Sequence, residues 1–491
     1  MSERLRPRDL DFLATDSPST PMHNATLEVF APGPQGFDYT GVVELIGERI
    51  SYVPRYRQRL QPVPGRLANP MWVDDEEFDL SYHVRRSALP KPGTMEQLRE
   101  LTARIISRPL DRNRPLWEVY VIEGLEHGHV AVLAKSHQIL VDGVETVDLG
   151  QVLLDVHADQ GPLGSDEWHP RRTPTPVHLV AGALKDSVES PATLLHTARS
   201  NMGTLLRNAD AAMSRVGQVA GALTNRRPTP DSPLTGPLSQ QRRVVTVATD
   251  LRDYREIRQL HETSVNDVVL AAVTGALRGW LMTRDEGLYG IKQLRAIVPM
   301  SVIDHELEAT SLGTQITGKE VYLPIGEPNP VVRLLQVSHS FHEHKETGRA
   351  VSAKRLLGIA GFAPTTFHAL GSRVAARELR RGFHLPVTNV PGPQFPLYAA
   401  GAKMLESYPV HPLLPEHGLS IGVTSYNGLV CYGITADRDL FPDADVLGQC
   451  LVESLEELKD TVTGTRPRAP RGRKQAARTR PKRATQARAR Q

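Results

Sequence analysis

Residues 134–150, AKSHQILVDGVETVDLG, mark the end of a predicted buried strand and the start of a loop. Residues 130–134 are all apolar, and a short apolar run is typical of a strand with both faces covered. The polar cluster that follows ends at Asp142-Gly143, a pair that favours a turn. His137 therefore lies where a strand opens into a loop, which suits either a ligand-binding residue or an ordinary loop residue.

The 491-residue chain is long enough for two domains or one bilobal unit, and its 40% hydrophobic residues can bury sizeable cores. Cys431 and Cys450 show neither metal-binding spacing nor a disulfide framework, which favours a reducing compartment. The first residues lack the apolar stretch of a signal peptide, and no apolar run approaches the roughly 20 residues of a membrane span. These features predict a cytoplasmic protein, either soluble or peripheral at the inner membrane face.

The charge of the chain is unevenly distributed. Residues 465–491 carry eleven of the 58 Lys and Arg residues and no acidic residue, so the remainder of the chain is acidic. A segment of this composition has no core-forming residues and is expected to be disordered. It is either a polycation that binds anionic lipid head groups or nucleic acid, or a solvated extension.

Strand and helix patterns alternate in two parts of the chain, as in α/β domains. Residues 116–125 and 127–137 predict paired strands, and residues 40–60, 95–110 and 264–284 predict helices. Ser264 or Asn266 can cap the last of these helices. The predicted organisation is an N-terminal domain (1–160), a helical and Pro-rich connector (161–240), a C-terminal domain (241–464) and the basic tail (465–491).

Six segments, in this order, resemble the motifs of one enzyme family. They are RPRDLDFLATDSPSTPMH (6–23), WVDDEEFDLSYHV (72–84), DRNRPLWEVYVIEGLEHGHVAVLAKSHQILVDG (111–143), SVNDVVLAAVTGALRGWL (264–281), AIVPMSV (296–302) and NVPGPQFPLYAAGAKMLESYPVHP (389–412). Together they resemble the bacterial wax ester synthase/diacylglycerol acyltransferases, the actinobacterial branch above all, from about residue 4 to residue 460.

The resemblance implies an α/β (α+β) fold related to chloramphenicol acetyltransferase and to the condensation domains of peptide synthetases. Two such lobes, with mixed sheets and packed helices, would enclose a channel between them. Acyl-CoA and an alcohol acceptor would enter this channel from opposite faces. The family implies no metal, no cofactor and no covalent acyl-enzyme.

The family signature H-H-x-x-x-D-G aligns with His137, Gln138, Asp142 and Gly143. Relatives use the second histidine as the base, but the Gln138 amide cannot accept a proton at neutral pH. Neighbouring strand residues point to opposite faces, so His137 replaces that histidine only if the backbone bends. His137 is therefore the proton acceptor after a local rearrangement, a structural residue of the loop, or neither. As the only imidazole in the motif, it is the candidate catalytic residue.

Other candidate site residues follow from the same resemblance. Asp142 would support the loop by pairing with a basic residue, for which Arg295 is the candidate, and Gly143 would provide a tight turn. Asn266 and Asp267 match an N-D pair that either lines the channel, as Gln138 would, or caps a helix.

The resemblance therefore predicts a CoA-dependent O-acyltransferase of neutral-lipid synthesis. Its partners would be a long-chain acyl-CoA and diacylglycerol or a fatty alcohol, and its products triacylglycerol or wax esters. It would work in the cytoplasm or at a membrane or lipid-droplet surface, with no specific nucleic acid. The alternative is an inactive homologue that binds acyl-CoA or lipid, because Gln138, Thr235 and Thr314 each depart from the family pattern. In a third hypothesis, the main function of the protein is to bind anionic polymers through its basic tail.

Overall fold

The computed structural model of this chain describes most of its residues. These are residues 3–33, 37–66, 68–141, 149–158, 168–179, 232–284, 288, 290–303, 314–342 and 364–464. The predicted basic tail, most of the predicted connector, and Asp142 and Gly143 lie outside the described residues.

The two strands predicted before the motif are neighbours in a six-stranded sheet. They pair antiparallel, with Trp117 opposite Ser136, which confirms the predicted strand pair. In spatial order the strands are β11 (Tyr398–Ala399), β12 (Ala402–Val410), β1 (His23–Phe30), β6 (Val130–His137), β5 (Trp117–Glu123) and β4 (Val84–Ala88). The sheet is mixed, because β4 runs parallel to β5 whereas β1 is antiparallel to both β6 and β12.

A second six-stranded sheet comes mainly from the C-terminal half of the chain. Its strands, in spatial order, are β7 (Arg242–Asp250), β14 (Leu429–Asp437), β13 (Leu419–Tyr426), β10 (Leu385–Pro391), β8 (Leu294–Ile303) and β9 (Thr314–Leu323). It is also mixed, since β10 is parallel to β13 and β8 whereas β13 and β14 are antiparallel. A two-stranded ribbon pairs β2 (Gln58–Gln61) with β3 (Met71–Asp74). These mixed sheets with packed helices confirm the predicted fold class.

The helices of the described residues are α1 (Pro7–Thr15), α2 (Tyr39–Arg49), α3 (Leu80–His83), α4 (Met95–Ile106), α5 (Leu149–Leu153), α6 (Leu251–Leu260), α7 (Val265–Thr283), α8 (Pro330–His342), α9 (Pro364–Arg377) and α10 (Ala444–Thr463). Several of them, namely α2, α3, α4, α6 and α7, begin at a capping side chain. Thr94 and Gln97 form a capping box at the start of α4, so two backbone N–H groups that the helix leaves free are bonded.

One predicted helix is shorter than expected. The apolar spacing over residues 40–60 favours one continuous helix, but α2 ends at Arg49. The chain continues as two short 3₁₀ turns, Ile50–Tyr52 and Pro54–Arg57, and then enters β2. Pro54 explains the difference, because proline disfavours a helical conformation in the residue before it and cannot donate a helical hydrogen bond.

The chain divides into two compact units. One comprises Met1–Thr249, Ala296–Glu320 and Thr347–Pro442, and the other Asp250–Arg295, Val321–Glu346 and Asp443–Gln491. The larger unit holds the first sheet and a core around Trp117, whose buried indole N–H donates to the Tyr56 carbonyl at 2.6 Å. The units interleave along the chain, and the contiguous domains predicted above remain predictions.

The smaller unit is built from α6, α7, α8 and α10. A side-chain carbon at Gly275 of α7 would lie 2.0 Å from Ser454 Oγ of α10, so glycine allows these two helices to approach closely. Helix α7 is, in the described part of the chain, the one helix long and apolar enough to cross a membrane. Because 67% of its apolar stretch of 18 residues is buried inside the protein, a packed core helix explains this composition equally well. The helix is therefore weak evidence for a membrane span.

Candidate active site

The turn after β6 is held by both strands that flank β6. His137 is the last residue of β6, and Gln138 begins a 3₁₀ turn that ends at Leu140. The His137 backbone N–H donates to the Leu116 carbonyl at 2.9 Å, just before β5. The Gln138 backbone N–H donates to the Met22 carbonyl at 3.0 Å, just before β1. The motif turn is thereby fixed to the middle of the first sheet.

Arg373 of α9 fixes the turn from its other side. Its guanidinium Nη1 donates to the Gln138 carbonyl at 2.8 Å and also to the Val141 carbonyl. Nη2 donates to Asp9 in α1, and both charged side chains are buried. Sequence reasoning missed Arg373, since one arginine in an amphipathic helix carries no signal for a contact 235 residues away.

The His137 side chain is 2% exposed, and both of its ring nitrogens face protein groups. Nδ1 accepts a hydrogen bond from the Ile139 backbone N–H at 3.2 Å, so in the neutral ring the proton is on Nε2. Nε2 lies 3.7 Å from Asp16 Oδ2. These contacts favour the structural alternative for His137, and its role as proton acceptor remains a prediction.

Asp16 is the acidic residue beside the His137 ring. Burial alone would raise its pKa, but the His137 imidazole, the Met22 N–H and the Arg112 guanidinium outweigh burial and hold the pKa well below its ordinary value. Arg112 Nη2 donates to Asp16 Oδ2 at 2.8 Å. Asp16 is therefore ionised at neutral pH and anchors His137 electrostatically.

Gln138 is fully buried. Within the described residues, neither Oε1 nor Nε2 of its amide has a hydrogen-bond partner. A buried amide without partners costs on the order of 1–3 kcal/mol, so retaining one here suggests a use other than stability.

The structure describes some of the remaining predicted site residues but not Asp142. Arg295 is half-buried in β8, and its predicted pairing with Asp142 lies outside the described residues.

Ser264, rather than Asn266, caps α7, because the Ser264 hydroxyl accepts from the Asp267 backbone N–H at 3.1 Å. The Asp267 carboxylate in turn accepts a hydrogen bond from the Ser264 backbone N–H at 2.9 Å. It also accepts one from the Ser338 hydroxyl at 3.1 Å. The capping alternative therefore holds for Asp267, and channel lining by Gln138, Asn266 and Asp267 remains a prediction.

A second buried polar cluster, the histidine network, lies in the larger unit and was missed by sequence reasoning. Thr388 Oγ1 lies 3.1 Å from His368 Nδ1 and 2.6 Å from His411 Nε2. His411 Nδ1 lies 2.9 Å from Ser372 Oγ and 3.4 Å from Asn24 Oδ1. Its members come from α9, β10, the segment after β12, and β1, so no spacing within one helix or strand predicts that they meet.

Buried histidines make the stability of the fold depend on pH. Burial lowers the pKa of His411 to about 3 and the pKa values of His23 and His368 well below the ordinary value. The unfolded chain binds protons at these rings below about pH 6.5 while the folded chain does not, so stability is complete above that pH and is lost below it. We expect a loss of up to about 1.4 kcal/mol per histidine per pH unit in urea unfolding between about pH 6.5 and 5. His411→Gln should lower this slope, and an unchanged slope would contradict the assignment.

The fold first defines a class of protein. The first condensation domain of the CDA synthetase shares the fold with a TM-score of 0.54 at 13% identity, over 96% of this chain and 98% of that one. The wax ester synthase/diacylglycerol acyltransferase from Marinobacter aquaeolei matches with a TM-score of 0.64 at 26% identity, over 94% of this chain and all of that one. The class is the chloramphenicol-acetyltransferase-like fold.

Sequence comparison then gives the family. Residues 5–269 match the model of the wax ester synthase/diacylglycerol acyltransferase catalytic domain, and residues 312–459 match that of its C-terminal domain. A Mycobacterium tuberculosis protein named probable diacylglycerol O-acyltransferase tgs1 is 32% identical over 88% of this chain and 90% of its own length. Another from that species, named probable diacylglycerol O-acyltransferase tgs3, is 38% identical over 53% of this chain and 97% of its own length. This chain therefore belongs to the wax ester synthase/diacylglycerol acyltransferase family and is an acyltransferase of neutral-lipid synthesis, which confirms the predicted resemblance.

Proposed function

We propose that this protein transfers a long-chain acyl group from acyl-CoA to diacylglycerol and so forms triacylglycerol. The observation that carries the proposal is the match to tgs1, which extends over 88% of this chain. The matches to both domain models of the family support it. The buried turn at His137 and Gln138 supports it, because that turn occupies the position of the family signature.

The chemistry requires few groups. The acceptor hydroxyl loses its proton as its oxygen attacks the thioester carbonyl carbon, and the CoA thiolate gains a proton as it leaves. Imidazole can perform both transfers near neutral pH. We therefore treat acyl-CoA as a substrate and assign no resident cofactor or metal. Because diacylglycerol and triacylglycerol are insoluble in water, we place the enzyme at the inner membrane face or a lipid-droplet surface within the cytoplasm.

A direct assay tests this function. The 491-residue chain is incubated with labelled palmitoyl-CoA and either dioleoylglycerol or hexadecanol, and the labelled esters are separated, with heat-killed protein as the control. We expect triacylglycerol as the main product and less wax ester. Absence of both esters would contradict the proposal. If palmitoyl-CoA then still bound in equilibrium dialysis, the inactive homologue with Gln138 in the motif would be the better description.

A further inference from the structure

The contacts of the histidine network support one order of hydrogen-bond donors and acceptors. In the order that also satisfies the Asn24 Oδ1 acceptor, 3.4 Å from His411 Nδ1, the Ser372 hydroxyl donates its one proton to the His368 carbonyl at 3.1 Å and accepts from His411 Nδ1–H at 2.9 Å. Neutral His411 then has its lone pair on Nε2, which accepts from the Thr388 hydroxyl at 2.6 Å. Thr388 Oγ1 in turn accepts from His368 Nδ1–H at 3.1 Å. This one order of donors and acceptors satisfies every contact of the network.

This order leaves the basic lone pair of His368 on Nε2. The His368 side chain is 4% exposed, and among the described residues Nε2 has no hydrogen-bond partner. His137 shows the opposite arrangement, since its lone pair is occupied by the Ile139 N–H and its Nε2–H faces Asp16. Of these two imidazoles, only His368 combines an anchored N–H with a lone pair that no described residue occupies, as a general base requires.

The network adjoins the motif turn. Ser372 precedes Arg373, whose guanidinium donates to the Gln138 carbonyl at 2.8 Å. His411 Nδ1 lies 3.4 Å from the side chain of Asn24, which pairs with Ser136 in the β1–β6 ladder. His137 is extended, so Gln138 points to the same face of the sheet as Ser136 and Asn24. The unpartnered Gln138 amide and the network thus lie on one side of the first sheet.

We propose that His368 Nε2 is the proton acceptor of acyl transfer, in place of the imidazole that the motif lacks at position 138. This inference rests on the proposed function. As the acceptor oxygen bonds to the acyl carbonyl carbon, its proton passes to His368 Nε2. The bond from carbon to the CoA sulfur then breaks, and the same proton passes to that sulfur, which regenerates neutral His368. Thr388 and His411 are positioning residues that hold the ring with Nδ1–H as donor.

The experiment compares two buried histidines of the larger unit. His368→Gln should lower kcat by about 10²–10⁴ with little change in the KM for palmitoyl-CoA, since general-base help has that value. His417→Gln is the control, because both ring nitrogens of His417 face main-chain carbonyls, those of Pro415 and Phe383, and it should stay active. The wild-type pH profile should show an acid limb below pH 6.5, because burial and the neighbouring His411 lower the pKa of His368, and this limb should vanish in His368→Gln.

Thr388→Val provides a second variant if His368→Gln does not fold. It removes the hydroxyl that holds His368 Nδ1–H, so kcat should fall and the acid limb should move. A folded His368→Gln with wild-type kcat, or a Thr388→Val with unchanged kcat and pH profile, would overturn the inference while leaving the proposed function intact. A gain of about 10² or more in the kcat of Gln138→His would also overturn it. That result would show that position 138 is the site of the base and that the wild-type chain has no base. If the wild-type chain forms no ester, the proposed function and this inference fall together.

Discussion

Arg373→Met is expected to lower the free energy of unfolding by about 3–5 kcal/mol, the usual result of removing one partner of a buried ion pair. The guanidinium bonds to the Asp9 carboxylate and to the carbonyls of Gln138 and Val141, and its carbon lies 4.8 Å from the Phe12 ring centre. Methionine fills similar volume but donates no hydrogen bond. The change therefore leaves a buried carboxylate and two buried carbonyls without this donor.

Arg252→Met is the matched control. Arg252 Nη2 lies 2.5 Å from Asp250 Oδ2, but its side chain is 79% exposed. An ion pair exposed to water contributes little to stability, so its loss should be barely measurable. Urea unfolding of both variants gives the comparison. Equal, small shifts would show that burial does not set the energy of the Arg373 contacts.

Much of the first sheet could be predicted because its signals are local. The apolar run before His137 and the turn between β5 and β6 specify a strand pair without reference to the rest of the chain. The capping box at Thr94 is equally local. The end of α2 at Arg49 is harder, because apolar spacing continues to Val53 and competes with the signal of Pro54.

The candidate site was harder to predict from the sequence because its contacts are long-range. His411 meets Asn24 across 387 positions of sequence, and Arg373 meets the Gln138 carbonyl across 235. Neither contact follows from spacing within one helix or strand. The motif located the turn, but the groups around it come from segments whose residue types alone suggest ordinary packing.

Gly433→Ala is expected to destabilise the protein by about 3 kcal/mol or more, at the upper end for overpacking. Gly433 of β14 pairs with Gly422 of β13, and together they leave the space that the end of β12 occupies. A side-chain carbon at Gly433 would lie 1.8 Å from the Pro409 carbonyl oxygen, and one at Gly422 would lie 2.5 Å from His411 Nε2. The obstruction at Gly433 is main chain, so no side-chain rotation relieves it.

Because Pro409 lies two residues before His411, relief of this clash must also move the histidine network. We therefore expect Gly433→Ala to lose acyl transfer at temperatures where it is still folded. Gly47→Ala is the control, since the nearest atom to a carbon there is Leu80 Cδ2 at 3.6 Å, an ordinary contact. Alanine in a helix interior is favoured over glycine by about 0.5–1 kcal/mol, so this variant should melt slightly higher. Thermal melts and the ester assay test both variants. A Gly433→Ala protein as stable and active as the wild type would show that β12 does not need the glycine pair to hold His411 in place.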